Sequence, residues 1–290
     1  MEYLVTGGAG FIGSRLAELL LEHGSVTVID DLSTGKRDNV PEDAFFEKRD
    51  VASAKLDFSS YDRVFHLAAF VSVPESFKHK EECERSNVQG TQRVVEACEK
   101  AECRLAYAST CAVYGDKPCV PSKETDVLAP SSPYAEAKLA GEQFVTEYAN
   151  GVALRLFNVY GAGQKISGYA SVVPAFLASA KQGKPFEIHG DGKQTRDFVF
   201  VDDACRAFIL AAEKGRGVYN VGSGVETSVN ELAETINRLT KQKLALKRDN
   251  KPRPGDVPRS RADASKAKKD LGFVPRCTLE DGLAKIIGEA

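Results

Sequence analysis

Apolar and polar positions alternate along the first half of the chain in blocks whose lengths separate strands from helices. Residues 3–6 form a short apolar run, Gly7, Gly8 and Gly10 follow, and a helical pattern then spans 11–22 and stops at Gly24. That order predicts strand, tight turn, helix. Apolar runs at 26–29, 44–47, 64–69, 104–108 and 152–157 predict further strands, with helical periodicity over about 82–101 and 132–149 between them. Strands alternating with helices of that length require right-handed crossovers, so the expected fold class is α/β, a doubly wound parallel sheet of six strands. From Gly161 onward the segments shorten and Gly and Pro interrupt them, with helix patterns near 171–181, 203–213, 228–240 and 278–288. This texture predicts two parts: residues 1–157, and a smaller mixed α/β substrate domain at 158–290. The segment near 196–221, with its buried apolar run at 218–221, is expected to return to the first sheet.

Composition narrows the function more than the fold. The 290 residues carry 39 basic and 41 acidic side chains, a formal charge of −2 without long single-sign blocks. Such a balance gives no electrostatic footprint for nucleic acid. Seven cysteines, with no Cys-x-x-Cys pair, indicate neither a disulfide framework nor a zinc finger, and free thiols point to the cytoplasm. There is no signal-peptide pattern and no stretch of about 18 apolar residues, so no membrane partner is expected. The four histidines show no metal-site spacing.

Two constellations carry chemistry. Gly7-x-x-Gly10-x-x-Gly13 lies between a strand and a helix, where glycine lets the backbone approach a pyrophosphate and the helix N-terminus offers unpaired N–H groups. Asp30 closes the second strand 17 residues later. A carboxylate there accepts from the adenosine ribose hydroxyls and favours NAD over NADP, although Lys36 and Arg37 keep a 2′-phosphate open. In the second constellation, Tyr134 and Lys138 stand four apart, on one face of a helix. A nearby ammonium is expected to lower the phenol pKa and make Tyr134 a general base, with a hydroxyl of Ser109 or Thr110 sharing the substrate proton.

Nine segments together resemble the extended short-chain dehydrogenase/reductase family, within it the NAD-dependent nucleotide-sugar epimerases and dehydratases. They are Val5-Thr-Gly-Gly-Ala-Gly-Phe-Ile-Gly13, Asp30-Asp-Leu-Ser-Thr-Gly35, His66-Leu-Ala-Ala69, Asn87-Val-Gln-Gly-Thr91, Ser109-Thr-Cys-Ala-Val-Tyr-Gly115, Ser132-Pro-Tyr-Ala-Glu-Ala-Lys138, Leu154-Arg-Leu-Phe-Asn-Val-Tyr-Gly161, Thr195-Arg-Asp-Phe198 and Arg253-Pro-Gly-Asp256. The resemblance implies a Rossmann domain with bound NAD. Gly7, Gly10, Phe11, Ile12 and Gly13 would hold the pyrophosphate, Asp30 with Asp31 the adenosine ribose, and Asp50 with Val51 the adenine. Ala68, Ala69, Asn87 and Ser109 would border the nicotinamide half, and Lys138 would bond its ribose. A UDP-sugar would meet Thr110, Asn158, Arg196, Arg253, Asp256 and Ser260. A homodimer through the helices near 82–101 and 132–149 is likewise implied.

Family members oxidise the sugar at C4 and differ in the next step. Dehydratases resemble Ser-Thr-Asp-Glu-Val-Tyr-Gly at the strand end, and the decarboxylases carry a Glu there; here those places hold Cys111 and Ala112. Without a carboxyl acid or base, elimination is disfavoured, and the expected activity is 4-epimerisation of UDP-glucose and UDP-galactose with catalytic Tyr134, Lys138 and Thr110. A small Ser260 leaves room for an N-acetyl group. Another nucleotide-sugar activity, such as UDP-glucuronate epimerisation or a net reduction, and a non-catalytic NAD sensor stay open at this point.

Overall fold

The computed structural model describes residues 1–116, 119–164, 172–249 and 257–289. The chain begins β1 (Glu2–Thr6), α1 (Phe11–Leu21), β2 (Ser25–Asp30), β3 (Phe45–Lys48) and β4 (Arg63–His66). Two short helices, α2 (Val73–Lys78) and α3 (Lys80–Glu84), lead through a π turn at Arg85–Gln89 into α4 (Gly90–Ala101). Then come β5 (Arg104–Thr110), α5 (Pro133–Glu147), β6 (Gly151–Leu156), β7 (Asn158–Tyr160) and α6 (Val172–Lys181). Next are β8 (Phe186–Ile188), β9 (Thr195–Phe200), α7 (Val201–Lys214), β10 (Gly217–Val221) and β11 (Glu226–Ser228). The chain closes with α8 (Val229–Leu239), β12 (Leu246–Arg248), α9 (Ser265–Leu271) and α10 (Leu279–Glu289).

Seven strands make one parallel sheet in the order β10-β6-β5-β4-β1-β2-β3, the six of the alternating half and a seventh from the segment expected to return to them. The additional strand is β10, which docks beside β6 with Gly217 opposite Val152 and Val221 opposite Leu156. Successive side chains leave opposite faces of a strand, and here both faces are covered. Tyr3 and Val5 of β1 and Ala106 and Ala108 of β5 pack with Leu16 and Leu20 of α1 and Phe208 and Ala211 of α7. Leu4, Leu105 and Tyr107 pack instead with Val94 and Cys98 of α4 and Val145 of α5. Burial on both sides is why these strands read as unbroken apolar runs. The result is the Rossmann-like, doubly wound arrangement the pattern implies, with a mixed β11-β9-β7 sheet added at the carboxyl edge. No helix among the described residues is long and apolar enough to cross a membrane.

Local departures all lie near that edge. The strand expected at 64–69 ends at His66, because the chain then turns toward β1 and the Ala68 amide reaches the Thr6 hydroxyl at 3.4 Å. The helix expected from 82 starts at Lys80 and contains the π turn, which carries Asn87 into the interior. Extra-residue turns of this kind recur at functional sites. In the other direction, β5 continues past Ala108 to Thr110, whose partner in β6 is Leu156. The strands β7, β8, β11 and β12, three residues each, are too short for a period to show.

Candidate active site

In doubly wound sheets ligands bind beyond the carboxyl ends of the strands, and the candidate residues gather there. Gly7 adopts a left-handed conformation, φ 71°, and a Cβ on it would stand 2.5 Å from the Ala68 backbone nitrogen. A Cβ on Gly13 would stand 2.2 Å from the Gly7 carbonyl oxygen. Only glycine allows this closure. Gly10 caps α1 without a side-chain hydrogen bond, so the first amides of an 11-residue helix face the glycine-lined concavity, which fits a pyrophosphate. Phe11 and Ile12 sit partly exposed at its rim. The buried Asp30 carboxylate accepts from the amides of Ala9 at 3.0 Å and Leu32 at 2.8 Å, which fixes it against the cradle. Asp31 is different: it is exposed and closes on the amide and hydroxyl of Ser33.

Farther along the groove, Asp50 accepts from the Ala52 amide at 2.9 Å and from the Arg85 guanidinium. Burial opposes ionisation, but the Ala52 amide, Arg85 and Ser53 together hold its carboxyl below the usual range. Val51 is buried, near the Cβ position of Gly90, which a methyl group would bring to 3.4 Å from it. The π turn therefore meets the loop after β3 through Arg85 and the loop after β4 through Asn87. The Asn87 amide both receives from Phe70 N at 2.8 Å and donates to Phe70 O at 2.9 Å. Through these two bonds its side chain shapes the loop that carries Ala68 and Ala69.

Tyr134 enters in the first turn of α5. Ser132 caps that helix by accepting from the Ala135 amide at 3.2 Å, Pro133 fixes the entry angle, and the Tyr134 amide donates to Ser76 Oγ at 3.2 Å. Thr110, at the end of β5, lies close enough to the phenol to act on its titration. Lys138, one turn on, is buried with its ammonium 4.1 Å from the centre of the Tyr107 ring. The electrostatics run against the expectation that lysine lowers the phenol. Burial pushes Tyr134 up to about 12, with Thr110 opposing, and burial pushes Lys138 down to about 7, with Cys83 and Glu142 opposing. Desolvation of both groups outweighs their mutual influence in the chain alone. Of the two alternative hydroxyls, that of Ser109 donates to Glu142 at 2.6 Å beneath α5, and Thr110 is the one that bears on the phenol.

Three segments hold the remaining candidate residues. Cys111, next to Thr110, lies near the buried Ser260 and in the field of Arg196; burial pushes its thiol up to about 11. Arg196 donates to the carbonyls of Thr195 at 2.7 Å and Val257 at 2.6 Å, holding β9 to the strand-like segment that carries Ser260. Asn158, at the start of β7, is partly exposed, and its amide has no hydrogen-bond partner among the described residues. Arg253 and Asp256 lie outside the described residues.

Residue patterns did not single out the supports. His66 bridges Thr6 at 2.7 Å and Thr91 at 3.0 Å, and burial pushes its imidazole down to about 3. Arg155 was visible only as a charge inside the apolar run of β6. It pairs with Glu142 at 2.7 Å, both side chains nearly inaccessible.

Fold and site together define a dinucleotide-dependent enzyme of the extended short-chain dehydrogenase/reductase type. The chain belongs to the NAD dependent epimerase/dehydratase family, which residues 3–222 match. A UDP-glucose 4-epimerase of Mycolicibacterium smegmatis is 39% identical over 311 aligned positions, covering 99% of this chain and 97% of that one. The crystal structure of a Thermotoga maritima UDP-glucose 4-epimerase with UDP-glucose superposes with TM-score 0.94 at 37% identity, covering 100% of this chain and 99% of the other. A UDP-N-acetylglucosamine 4-epimerase of Methanobrevibacter ruminantium, in complex with UDP-N-acetylmuramic acid, gives TM-score 0.94 at 36% identity, covering 99% and 97%. Decarboxylases and a dehydratase acting on nucleotide sugars are also among the similar proteins. The cofactor is NAD.

Proposed function

We propose that the protein is a UDP-hexose 4-epimerase, interconverting UDP-glucose and UDP-galactose through transient oxidation at C4. The carrying observation is the approach of Thr110, at the end of β5, to the Tyr134 phenol, flanked by Cys111 and Ala112 instead of carboxyl groups. Dehydration needs a base for the C5 proton and an acid for the departing C6 hydroxyl, and the decarboxylases of the family carry a glutamate at this place. A thiol pushed up to about 11 and a methyl group supply neither.

When bound, NAD supplies the hydride acceptor for C4 and a cationic ring whose charge favours phenolate. The backbone around Gly7, Gly10, Phe11, Ile12 and Gly13 would hold the pyrophosphate, Asp30 the adenosine ribose, and Lys138 the nicotinamide ribose. Ala68 and Ala69 would border the nicotinamide. Tyr134 would take the O4 proton with the Thr110 hydroxyl bridging phenol and sugar, both returning it when hydride comes back to the opposite face. Arg196 and Arg253, together with Asn158, would anchor the diphosphate about which the sugar turns, and Asp256 would accept from the nucleotide ribose. Arginine suits this task because its planar donors meet phosphate oxygens in pairs. We place the enzyme in the cytoplasm as a homodimer joined through α4 and α5; sedimentation should show twice the chain mass, and a monomer at all concentrations would refute that assembly.

Purified protein given UDP-galactose should form UDP-glucose to equilibrium without added reduced cofactor. A stoichiometric demand for reduced cofactor would instead mark a net reductase. The small Ser260 supports acceptance of UDP-N-acetylglucosamine at a kcat/KM within about tenfold of UDP-glucose, a gap of roughly 1.4 kcal/mol. Ser260→Tyr should remove the acetylated activity and keep the other; strict rejection of the acetylated sugar by the unaltered enzyme would refute this part.

A further inference from the structure

Every position of β6 is buried, yet it contains Arg155. The register of the sheet sets Arg155 directly between Ser109 in β5 and Asn220 in β10, so three polar residues lie in a row across neighbouring strands. Glu142 descends on that row from α5, one turn beyond Lys138 and two beyond Tyr134. Its Oε1 lies 2.7 Å from Arg155 Nη2, and its Oε2 accepts from Arg155 Nε at 3.1 Å and from Ser109 Oγ at 2.6 Å. Arg155 Nη1 in turn donates to the Tyr114 hydroxyl at 3.0 Å, and Tyr114 donates to Asn220 Oδ1 at 2.6 Å.

We propose that Glu142, clamped by Arg155 and Ser109, is a positioning residue that sets the depth and rotation of α5 on the sheet, and so the placement of Tyr134 against Thr110. Small residues make up much of the remaining inner face of α5: Ala135, Ala137 and Gly141 are buried there. Gly141 approaches so closely that a Cβ would stand 2.5 Å from the Tyr107 hydroxyl. A smooth seam of this kind binds without direction and tolerates axial slip. Three hydrogen bonds converging on one carboxylate from two strands do not. Buried ion pairs add little stability compared with apolar residues of the same volume, so the clamp's contribution lies in geometry. Displacement of about 1 Å at reacting groups costs on the order of a hundredfold in rate.

This inference rests on the epimerase reading for its kinetic arm only. The double variant Glu142→Leu/Arg155→Leu removes both charges together, and should keep its melting temperature within a few degrees and KM within about threefold while kcat falls roughly a hundredfold. Amide exchange over 134–138, which needs no substrate, should quicken at least about tenfold. A second variant, Ser109→Ala, removes one bond without exposing a charge; kcat should fall several-fold at unchanged KM, and Ser109→Thr should restore it. A double variant with unaltered kcat and unaltered exchange would overturn the proposal, as would an unimpaired Ser109→Ala should the double variant fail to fold. If the parent enzyme turns over no UDP-hexose, the epimerase reading fails and the exchange measurement alone decides this one.

Discussion

Tyr134→Phe is expected to lower turnover by roughly 10²–10⁴-fold, the usual contribution of a positioned proton-transfer group, while NAD and the UDP-sugar stay bound. Phenylalanine keeps the ring and loses only the oxygen that Thr110 approaches. The bonds that build the helix start belong to other atoms: Ser132 receives from the Ala135 amide, and Ser76 from the residue 134 main chain. Neither depends on the phenol, so fold and cofactor cradle should be unchanged. Steady-state kcat with UDP-galactose, set beside the dinucleotide released on denaturation, separates the two effects. Full activity in the variant would end the assignment of Tyr134 as the base. So would a loss of activity that merely tracked a loss of bound NAD.

The parts of the site that could be read from the chain are those whose chemistry is local. Gly7, Gly10 and Gly13 announce themselves because a turn, a helix start and a close backbone approach fall within seven residues, and the 2.2 Å collision facing any Cβ at Gly13 shows why no other residue fits. Tyr134 and Lys138 share a helix face by spacing alone. What spacing cannot report is how much water a group loses. The phenol and the ammonium were expected to help each other, and burial moves each away from its charged form. Long-range pairings were equally hidden. Asn87 reaches Phe70 only because a π turn rotates it inward, and Ser109 is drawn from the sugar side by a glutamate 33 residues on. The one available warning was an arginine in the apolar run of β6, since a charge buried on both faces of a sheet must have a partner. The return of the seventh strand was legible in the apolar run at 218–221, but its register beside β6 was not.

Acid should weaken the fold through His66 before it affects the carboxylates. In the folded chain the imidazole titrates at about 3 because of burial, reinforced by the Lys138 charge, against an ordinary value of 6.5. The unfolded chain therefore takes up a proton below pH 6.5 that the folded chain refuses, and stability falls as pH drops from 6.5 toward 3. Paired carboxylates such as Glu226, held down to about 2, add their own losses only below their ordinary value of 4.5. Lys138, lowered to about 7, acts on the other side: its unfolded form keeps a proton up to 10.5, so its contribution rises between pH 7 and 10.5. Asp197, raised by burial, acts in the opposite sense as pH falls, so the comparison with a His66 variant is what isolates the imidazole between pH 6.5 and 4.5. At about 1.4 kcal/mol per proton per pH unit, the loss there should be on the order of 2–3 kcal/mol, a large share of the margin of a typical domain. The hydrogen bonds agree with a neutral ring. Thr91 donates its hydroxyl proton to Asn87 O and so accepts from Nε2, which leaves Nδ1 to accept from Thr6. Protonating Nδ1 would turn Thr6 away and place a second cation beside the Tyr107 ring that already carries Lys138. Urea unfolding at pH 6.5, 5.5 and 4.5 should show this slope in the parent protein and its loss in His66→Gln, which stays neutral throughout. A parent slope no steeper than that of the variant would mean that the ring reaches water, and the packing of β4 against α4 would need to be redrawn.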